Sequence, residues 1–170
     1  GIYEALSKKK RLHDIIVNTA HEGLRVAPST PDLAGANIEL VDMERREFQL
    51  HDLLEEVKHA YDYIIIDCPP SLGAVTSNAI VAADLLCIPT IPEYLSVYAL
   101  RNLLNLIRSI REKNNPKLKY RILVTMLDQR INSHLALNKQ IRSPFKEAVF
   151  KTIIQVDTRL RDAAIAGYPI

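Results

Sequence analysis

Short apolar runs alternate along this chain with longer segments of helical character. Residues 63–66 form an unbroken apolar run, Tyr-Ile-Ile-Ile, residues 85–89 form another, and residues 120–126 are predicted as a further strand. Residues 94–113 carry apolar side chains at helical spacing, and residues 71–83 fit a buried helix. Strands separated by helices of this length are typical of βαβ units, whose strands pair in parallel. The sequence therefore predicts an α/β fold, a parallel β-sheet with helices on both faces.

Further elements are predicted toward both ends of the chain. The chain has 170 residues, of which 48% are hydrophobic and 25% charged, as is usual for one globular domain. Its longest apolar runs are only a few residues, whereas about 20 are needed to cross a bilayer. The remaining predicted elements are helices at residues 2–17, 48–57 and 134–150, the last interrupted near Pro144, and strands at residues 24–27 and 151–154.

Positive charge is concentrated in the C-terminal part of the chain. The net charge of +2 conceals −7 in residues 1–100 and +9 in residues 101–170, where 14 Lys and Arg face five Asp and Glu. Charge segregation of this kind indicates either a basic face that meets phosphates or a surface that is only solvated. The sequence leaves both interpretations open.

Asp67 follows directly after the apolar run at residues 63–66. Four apolar residues followed by an aspartate at the carboxyl end of a strand form the Walker B arrangement, which places a carboxylate where it orients Mg²⁺ beside bound phosphates. The alternative is structural, because aspartate is also a good N-cap for the helix expected next.

A Walker B carboxylate acts together with a phosphate-binding loop, and residues 1–170 contain no such loop. The five glycines stand at positions 1, 23, 35, 73 and 167, and the pattern G-x-x-x-x-G-K-[ST] does not occur. The protein is therefore either not a nucleotide enzyme, or its phosphate-binding half lies outside these residues.

Several strings of the sequence, in register, carry a resemblance to a known family: Pro28-Ser29-Thr30, Leu33-Ala34-Gly35-Ala36, Asp67-Cys68-Pro69-Pro70, Glu93-Tyr94, Leu123-Val124-Thr125-Met126-Leu127-Asp128 and Lys151-Thr152-Ile153-Ile154. They resemble the partition ATPases of the ParA/Soj family. This resemblance implies a P-loop NTPase-like fold of the deviant Walker A class that lacks the N-terminal P-loop strand and helix. Residues 1–170 are then expected to be a partial ParA-type ATPase domain, truncated at both ends.

The resemblance also implies nucleotide-binding residues. Asp67 matches the Walker B carboxylate, which positions Mg²⁺ through a water molecule. Met126 is a candidate contact for the adenine base, with core packing as the alternative. In the second base-contacting loop, Gln155 replaces the family's proline and Asp157 its asparagine.

Two arginines match residues that the family uses to bind DNA. These are Arg130 and Arg159, the latter expected in the loop after the last strand. Arginines that meet phosphates recognise charge rather than base sequence, so such binding is non-specific and salt-dependent. Four more basic residues are candidates to widen this surface, with solvated surface as the alternative for each: Lys139, Arg142, Lys146 and Arg161.

The function that the resemblance implies is segregation of chromosomal or plasmid DNA. ATP with Mg²⁺ drives formation of a homodimer, the dimer binds DNA non-specifically, and a ParB/Spo0J-type partner stimulates hydrolysis. A cytoplasmic, nucleoid-associated protein without stable membrane association is expected, and these 170 residues alone are expected to be inactive as an ATPase. The alternatives are a MinD-like ATPase that positions the division site and a non-catalytic DNA-binding or scaffold module.

Overall fold

A computed structural model describes residues 1–168, which form two units. The first unit consists of residues 1–84 with residues 109–118, and the second of residues 85–108 with the chain from residue 119 onward. The first unit is mainly helical, and the second contains the parallel sheet.

Short helices and a two-stranded ribbon build the first unit. Leu6, Leu50 and Ala79 form one of its buried apolar clusters. A second cluster includes Ala5 and Val57. In chain order the elements are α1 (Ile2–Leu6), α2 (Leu12–Ile15), β1 (Val17–Asn18), β2 (Arg25–Val26), α3 (Leu33–Glu39), α4 (Gln49–Glu55) and α5 (Ala74–Ala82).

The prediction of a single helix over residues 2–17 is wrong, because the helical conformation is interrupted between α1 and α2. Lys8 adopts the left-handed conformation with φ of 57°, which no regular helix accommodates. The apolar positions on both sides are nevertheless buried, with Leu12 and Ile15 packing in the same cluster as Ala5. The spacing of these apolar residues therefore predicted correctly that they are buried, but it did not predict the interruption of the helix.

The strand predicted for residues 24–27 contains only two residues and lies outside the parallel sheet. β2 pairs antiparallel with β1, with Val17 opposite Val26. Gly23, at φ of 76°, lies in the turn that reverses the chain between them. The strand therefore belongs to a small hairpin instead of a βαβ unit.

Residues 63–66 do not form the strand, buried on both faces, that their apolar run predicts. Within residues 1–168 they pair with no neighbouring strand. Tyr63 is 88% exposed and Ile65 is 92% exposed. A strand is defined by the ladder it joins, and its apolar side chains become buried only when neighbouring strands and helices cover them. The prediction is therefore wrong for the structure described.

The second unit confirms the parallel sheet flanked by helices. β4 lies between β3 and β5 and pairs in parallel with both, so that Ile88 faces Ile122 and Val124 faces Ile153. Ile122 and Val124 are fully buried. The elements are β3 (Leu85–Thr90), α6 (Tyr94–Lys113, whose last turn belongs to the first unit), β4 (Lys119–Leu127), α7 (Asn132–Phe145), β5 (Val149–Gln155) and α8 (Thr158–Ala166).

The predicted helix at residues 134–150 is too long at its C-terminal end. α7 ends at Phe145, one residue after Pro144, and Lys146 follows at φ of 36°. A single turn of 3₁₀-helix leads to Val149, where β5 begins. Proline lacks the backbone N–H that helical hydrogen bonding requires, so Pro144 favours an end of the helix close to its own position.

Candidate nucleotide- and phosphate-binding residues

Met126 lies in a β-bulge near the carboxyl end of β4. Val124 pairs with Ile153 and Leu127 with Gln155, so β4 has one more residue than β5 over this stretch. Met126 adopts the left-handed conformation with φ of 51°, and it is 44% exposed. Among the described residues Met126 is therefore not packed in the core, and it is exposed at the edge of the sheet where parallel α/β folds bind ligands.

The backbone strain at Met126 allows a paired test of its role. Substitution by glycine or alanine removes the same thioether, but only glycine adopts a positive φ without strain. We expect Met126→Gly to be more stable than Met126→Ala by about 1 kcal/mol in urea unfolding. If Met126 contacts the base, both variants of the complete protein should bind ATP about tenfold more weakly than wild type. Wild-type affinity in both variants would contradict the contact.

Asp128 and Arg130 form a bidentate ion pair in the turn that follows β4. Nε of Arg130 donates to Oδ1 of Asp128 at 2.9 Å, and Nη2 donates to Oδ2 at 2.6 Å. The backbone N–H of Arg130 also donates to Oδ1, at 2.9 Å. The Arg130 side chain is 86% exposed and that of Asp128 only 15%.

Asp157 and Arg159 repeat this arrangement after β5. Nε of Arg159 donates to Oδ1 at 3.1 Å, Nη2 donates to Oδ2 at 2.6 Å, and the backbone N–H donates to Oδ1 at 2.9 Å. Asp157 is the N-cap of α8. The expectation that Arg159 lies in a loop is therefore wrong: it is in the first turn of α8.

The two ion pairs follow neighbouring strands, because Leu127 faces Gln155 in the sheet. The backbone N–H of Val156 donates to the Leu127 carbonyl at 3.2 Å, which extends this pairing to the point where the pairs begin. The structure thus brings Arg130 and Arg159 to the carboxyl edge of the same two strands. Asp128 is a residue of this site to which the sequence had assigned no role, although the repeated Asp-x-Arg was visible there.

The arginines lower the pKa of both carboxylates. Hydrogen bonds from Arg130, first from its side chain and then from its backbone, lower the pKa of Asp128 to about 2. Those from Arg159 likewise lower the pKa of Asp157 below its ordinary value. Groups with a lowered pKa stabilise the fold above their ordinary pKa and lose that contribution as the pH falls through the folded value, here about 2 for Asp128.

Carboxyl titration by NMR should therefore detect the Asp128 pair directly. We expect Asp128 to titrate at about 2 in the native protein and at a higher pH in Arg130→Ala, which removes the side-chain hydrogen bonds but keeps the backbone hydrogen bond to Oδ1. The control is Arg159→Ala, which should raise the pKa of Asp157 and leave that of Asp128 in place. An unchanged Asp128 pKa in Arg130→Ala would contradict the pairing.

The other predicted phosphate-binding residues differ in accessibility. Lys139 on α7, Lys146 after it and Arg161 on α8 are exposed. Arg142 is only partly exposed; its Nε donates to Oδ1 of Asn138 at 3.1 Å, and its Nη2 atom is buried without a hydrogen-bond partner among the described residues. Arg142 is therefore less available to a phosphate than the other three.

Asp67 belongs to the first unit, whereas the residues above lie in the second. Its side chain is exposed. The alternative in which Asp67 caps the following helix is wrong, because α5 begins at Ala74 and its N-cap is Gly73. Gln155, in the second unit, is exposed at the end of β5.

The carboxylate of Asp67 fits a magnesium ion that is held mainly by other oxygens. No group of three or more His, Cys, Asp or Glu side chains within residues 1–168 could hold a metal ion. Mg²⁺ in nucleotide sites is bound through one or two carboxylates together with phosphate oxygens and water. A single exposed carboxylate is sufficient for that role.

Within the part of the chain that is described, no helix is long and apolar enough to cross a membrane.

Comparison with known proteins gives consistent matches over this chain. Residues 1–120 match a family described as an AAA domain. The chain is 42% identical to the chromosome partitioning protein ParA of Myxococcus xanthus and 43% identical to the sporulation initiation inhibitor protein Soj of Bacillus subtilis, each over 99% of its length. It spans 60% of the first protein and 67% of the second.

A solved structure matches the fold. Cobyrinic acid a,c-diamide synthase from Mycobacterium smegmatis, with bound ATP analogue and magnesium, is 30% identical to this chain. It superimposes with a TM-score of 0.80 over 86% of this chain and 60% of its own.

The parallel sheet, its flanking helices and this structural likeness define a P-loop NTPase-like α/β protein. Among proteins of this class, the similarity to ParA and Soj extends over nearly the whole chain. The chain belongs to the ParA/Soj family of partition ATPases. Both the fold class and the family predicted from the sequence are confirmed.

Proposed function

We propose that the complete protein is an ATP-dependent DNA-partition ATPase. It binds ATP and Mg²⁺, forms a homodimer with ATP, binds DNA non-specifically, and is stimulated by a ParB-type partner. The name of the Myxococcus xanthus relative supports partition, and the ATP analogue and magnesium in the solved structure support the cofactors. The 170 residues by themselves, which contain no phosphate loop, are inactive in this proposal.

The roles of the nucleotide-site residues follow from their chemistry. Bound Mg²⁺ neutralises charge that develops on the transferred phosphoryl group. Asp67 would help to hold the ion, through a water molecule, and so orient it. Met126 packs its thioether on the adenine ring, and Gln155 and Asp157 border the base from the end of β5.

The two exposed arginines at neighbouring strand ends are the observation that carries the DNA-binding part of the proposal. Arg130 is 86% exposed and Arg159 79%. They belong to residues 101–170, where positive charge exceeds negative by nine. A guanidinium at an exposed turn meets a phosphate oxygen without reading a base, so every duplex sequence is bound alike. Lys139, Lys146 and Arg161, and to a smaller extent Arg142, extend the positive surface.

The nucleotide dependence of DNA binding tests this function against its alternatives. The complete protein is expected to bind duplexes of unrelated sequence equally, with Mg²⁺-ATP and not with Mg²⁺-ADP. Equal binding in both nucleotides would favour the non-catalytic module. ATP-dependent binding to anionic vesicles without DNA binding would favour the MinD-like alternative. Fluorescence anisotropy with labelled duplex and vesicle co-sedimentation distinguish the three.

A further inference from the structure

We propose that Asp128 and Asp157 set the strength of polynucleotide binding, each competing with a DNA phosphate for the guanidinium of the arginine two residues further on. This inference rests on the proposed function; it assigns a role to Asp128 and a second role, besides that toward the base, to Asp157, on a surface otherwise described by its positive charge. A count of basic residues alone would not identify these two aspartates.

The competition follows from the atoms that each ion pair uses. Arg130 and Arg159 both contact their aspartate through Nε and Nη2. These two nitrogens form one of the edges with which a guanidinium binds phosphate or carboxylate in bidentate fashion. A phosphate that binds along this edge must displace the carboxylate, because the same N–H donors cannot serve both groups at full strength.

The carboxylates are held in place independently of the guanidinium groups. Oδ1 of Asp128 accepts the backbone N–H of Arg130, and Oδ1 of Asp157 accepts that of Arg159, both at 2.9 Å. Asp157 also caps α8. An arginine that turns toward DNA therefore leaves a fixed negative charge behind it, and that charge repels the incoming phosphate.

The repulsion between carboxylate and phosphate has a long enough range, and is present over a wide enough pH interval, to weaken DNA binding. The Debye length is about 10 Å at 0.1 M salt, so a phosphate on the arginine still senses the carboxylate. Aspartate is ionised near neutrality even at its ordinary pKa, so both carboxylates keep their negative charge after the arginine has separated. Each pair presents no net charge to DNA until the arginine separates, which keeps binding weak and easily reversed.

Substitution by asparagine tests the proposal because it removes the charge and keeps the shape. Asparagine caps a helix about as well as aspartate, so α8 and the turn after β4 should remain folded. In the complete protein, at Mg²⁺-ATP concentrations shown by titration to saturate each variant because Asp157 is also assigned to the base, Asp128→Asn and Asp157→Asn should each strengthen binding to an unrelated duplex about threefold or more. Each should also steepen the dependence of affinity on salt, by up to about one unit of the logarithmic slope.

The matched control is Asp162→Asn, which removes the same charge one turn further along α8. It should strengthen binding less than Asp157→Asn does. The coupling is measured by introducing Asp157→Asn into Arg159→Ala, where the gain should fall to the value given by Asp162→Asn. A merely structural role of Asp157 would not depend on Arg159.

Two results separate failure of this inference from failure of the proposed function. If Arg130→Ala and Arg159→Ala weaken DNA binding while both asparagine variants bind like wild type, the competition is refuted and the DNA surface stands. If neither the arginine nor the asparagine variants change DNA binding, the surface itself is wrongly placed. A gain from Asp157→Asn that persists in Arg159→Ala would also overturn the inference.

Discussion

Replacing Asp67 by alanine should lower Mg²⁺-dependent ATP turnover of the complete protein by about 10- to 100-fold, the usual cost of losing a group that orients a metal through its water. The side chain is exposed in the structure, so its removal leaves no buried cavity and the fold should survive. Turnover is measured in the presence of DNA and the stimulating partner, so that the stimulated rate is compared. The circular dichroism spectrum reports whether the variant is folded.

Asp62→Ala is the matched control for this experiment. Asp62 is exposed and precedes the apolar run that Asp67 follows. It should turn over ATP at the wild-type rate. Wild-type turnover in Asp67→Ala would mean that Asp67 is not the Walker B carboxylate, and equal losses in both variants would indicate a general effect of charge.

Replacing Arg130 and Arg159 together by alanine should weaken DNA binding about tenfold or more at low salt, equally for all sequences. Each arginine that meets a phosphate releases counterions, so the logarithmic salt slope should become shallower by about two units. Affinity for DNA is measured at several salt concentrations, and affinity for ATP by titration. ATP binding should survive, and its loss would place these arginines in the nucleotide site instead.

The control for the arginines is Arg101→Ala with Arg108→Ala, which removes the same charge from exposed positions on α6. If the DNA surface lies at the strand ends, this control should affect binding less than Arg130→Ala with Arg159→Ala. Equal losses would mean that the excess of nine positive charges acts diffusely.

The sequence by itself determined the elements whose stability is local or whose pattern is long. α6 spans Tyr94–Lys113, as its helical spacing predicted, because twenty residues with one apolar face give an unambiguous period. β4 was predicted within one residue at each end, since its strand pattern extends over seven residues whereas the run at residues 63–66 has only four. The strings shared with the ParA/Soj family identified the class of protein before any geometry was available.

Only the tertiary structure decided what depends on neighbouring chain. The run at residues 63–66 has the composition of a buried strand, but strand formation requires a partner, and none of the described residues supplies it. The sequence left Met126 open between core packing and contact with the base; the structure shows it exposed in a bulge of β4 with a positive φ, and the contact with the base stays a prediction. The sequence contains the Asp-x-Arg pattern twice, but a count of charges does not show which of them form ion pairs. Whether an arginine is free or already paired is decided by side-chain geometry, and that geometry exists only in the folded chain.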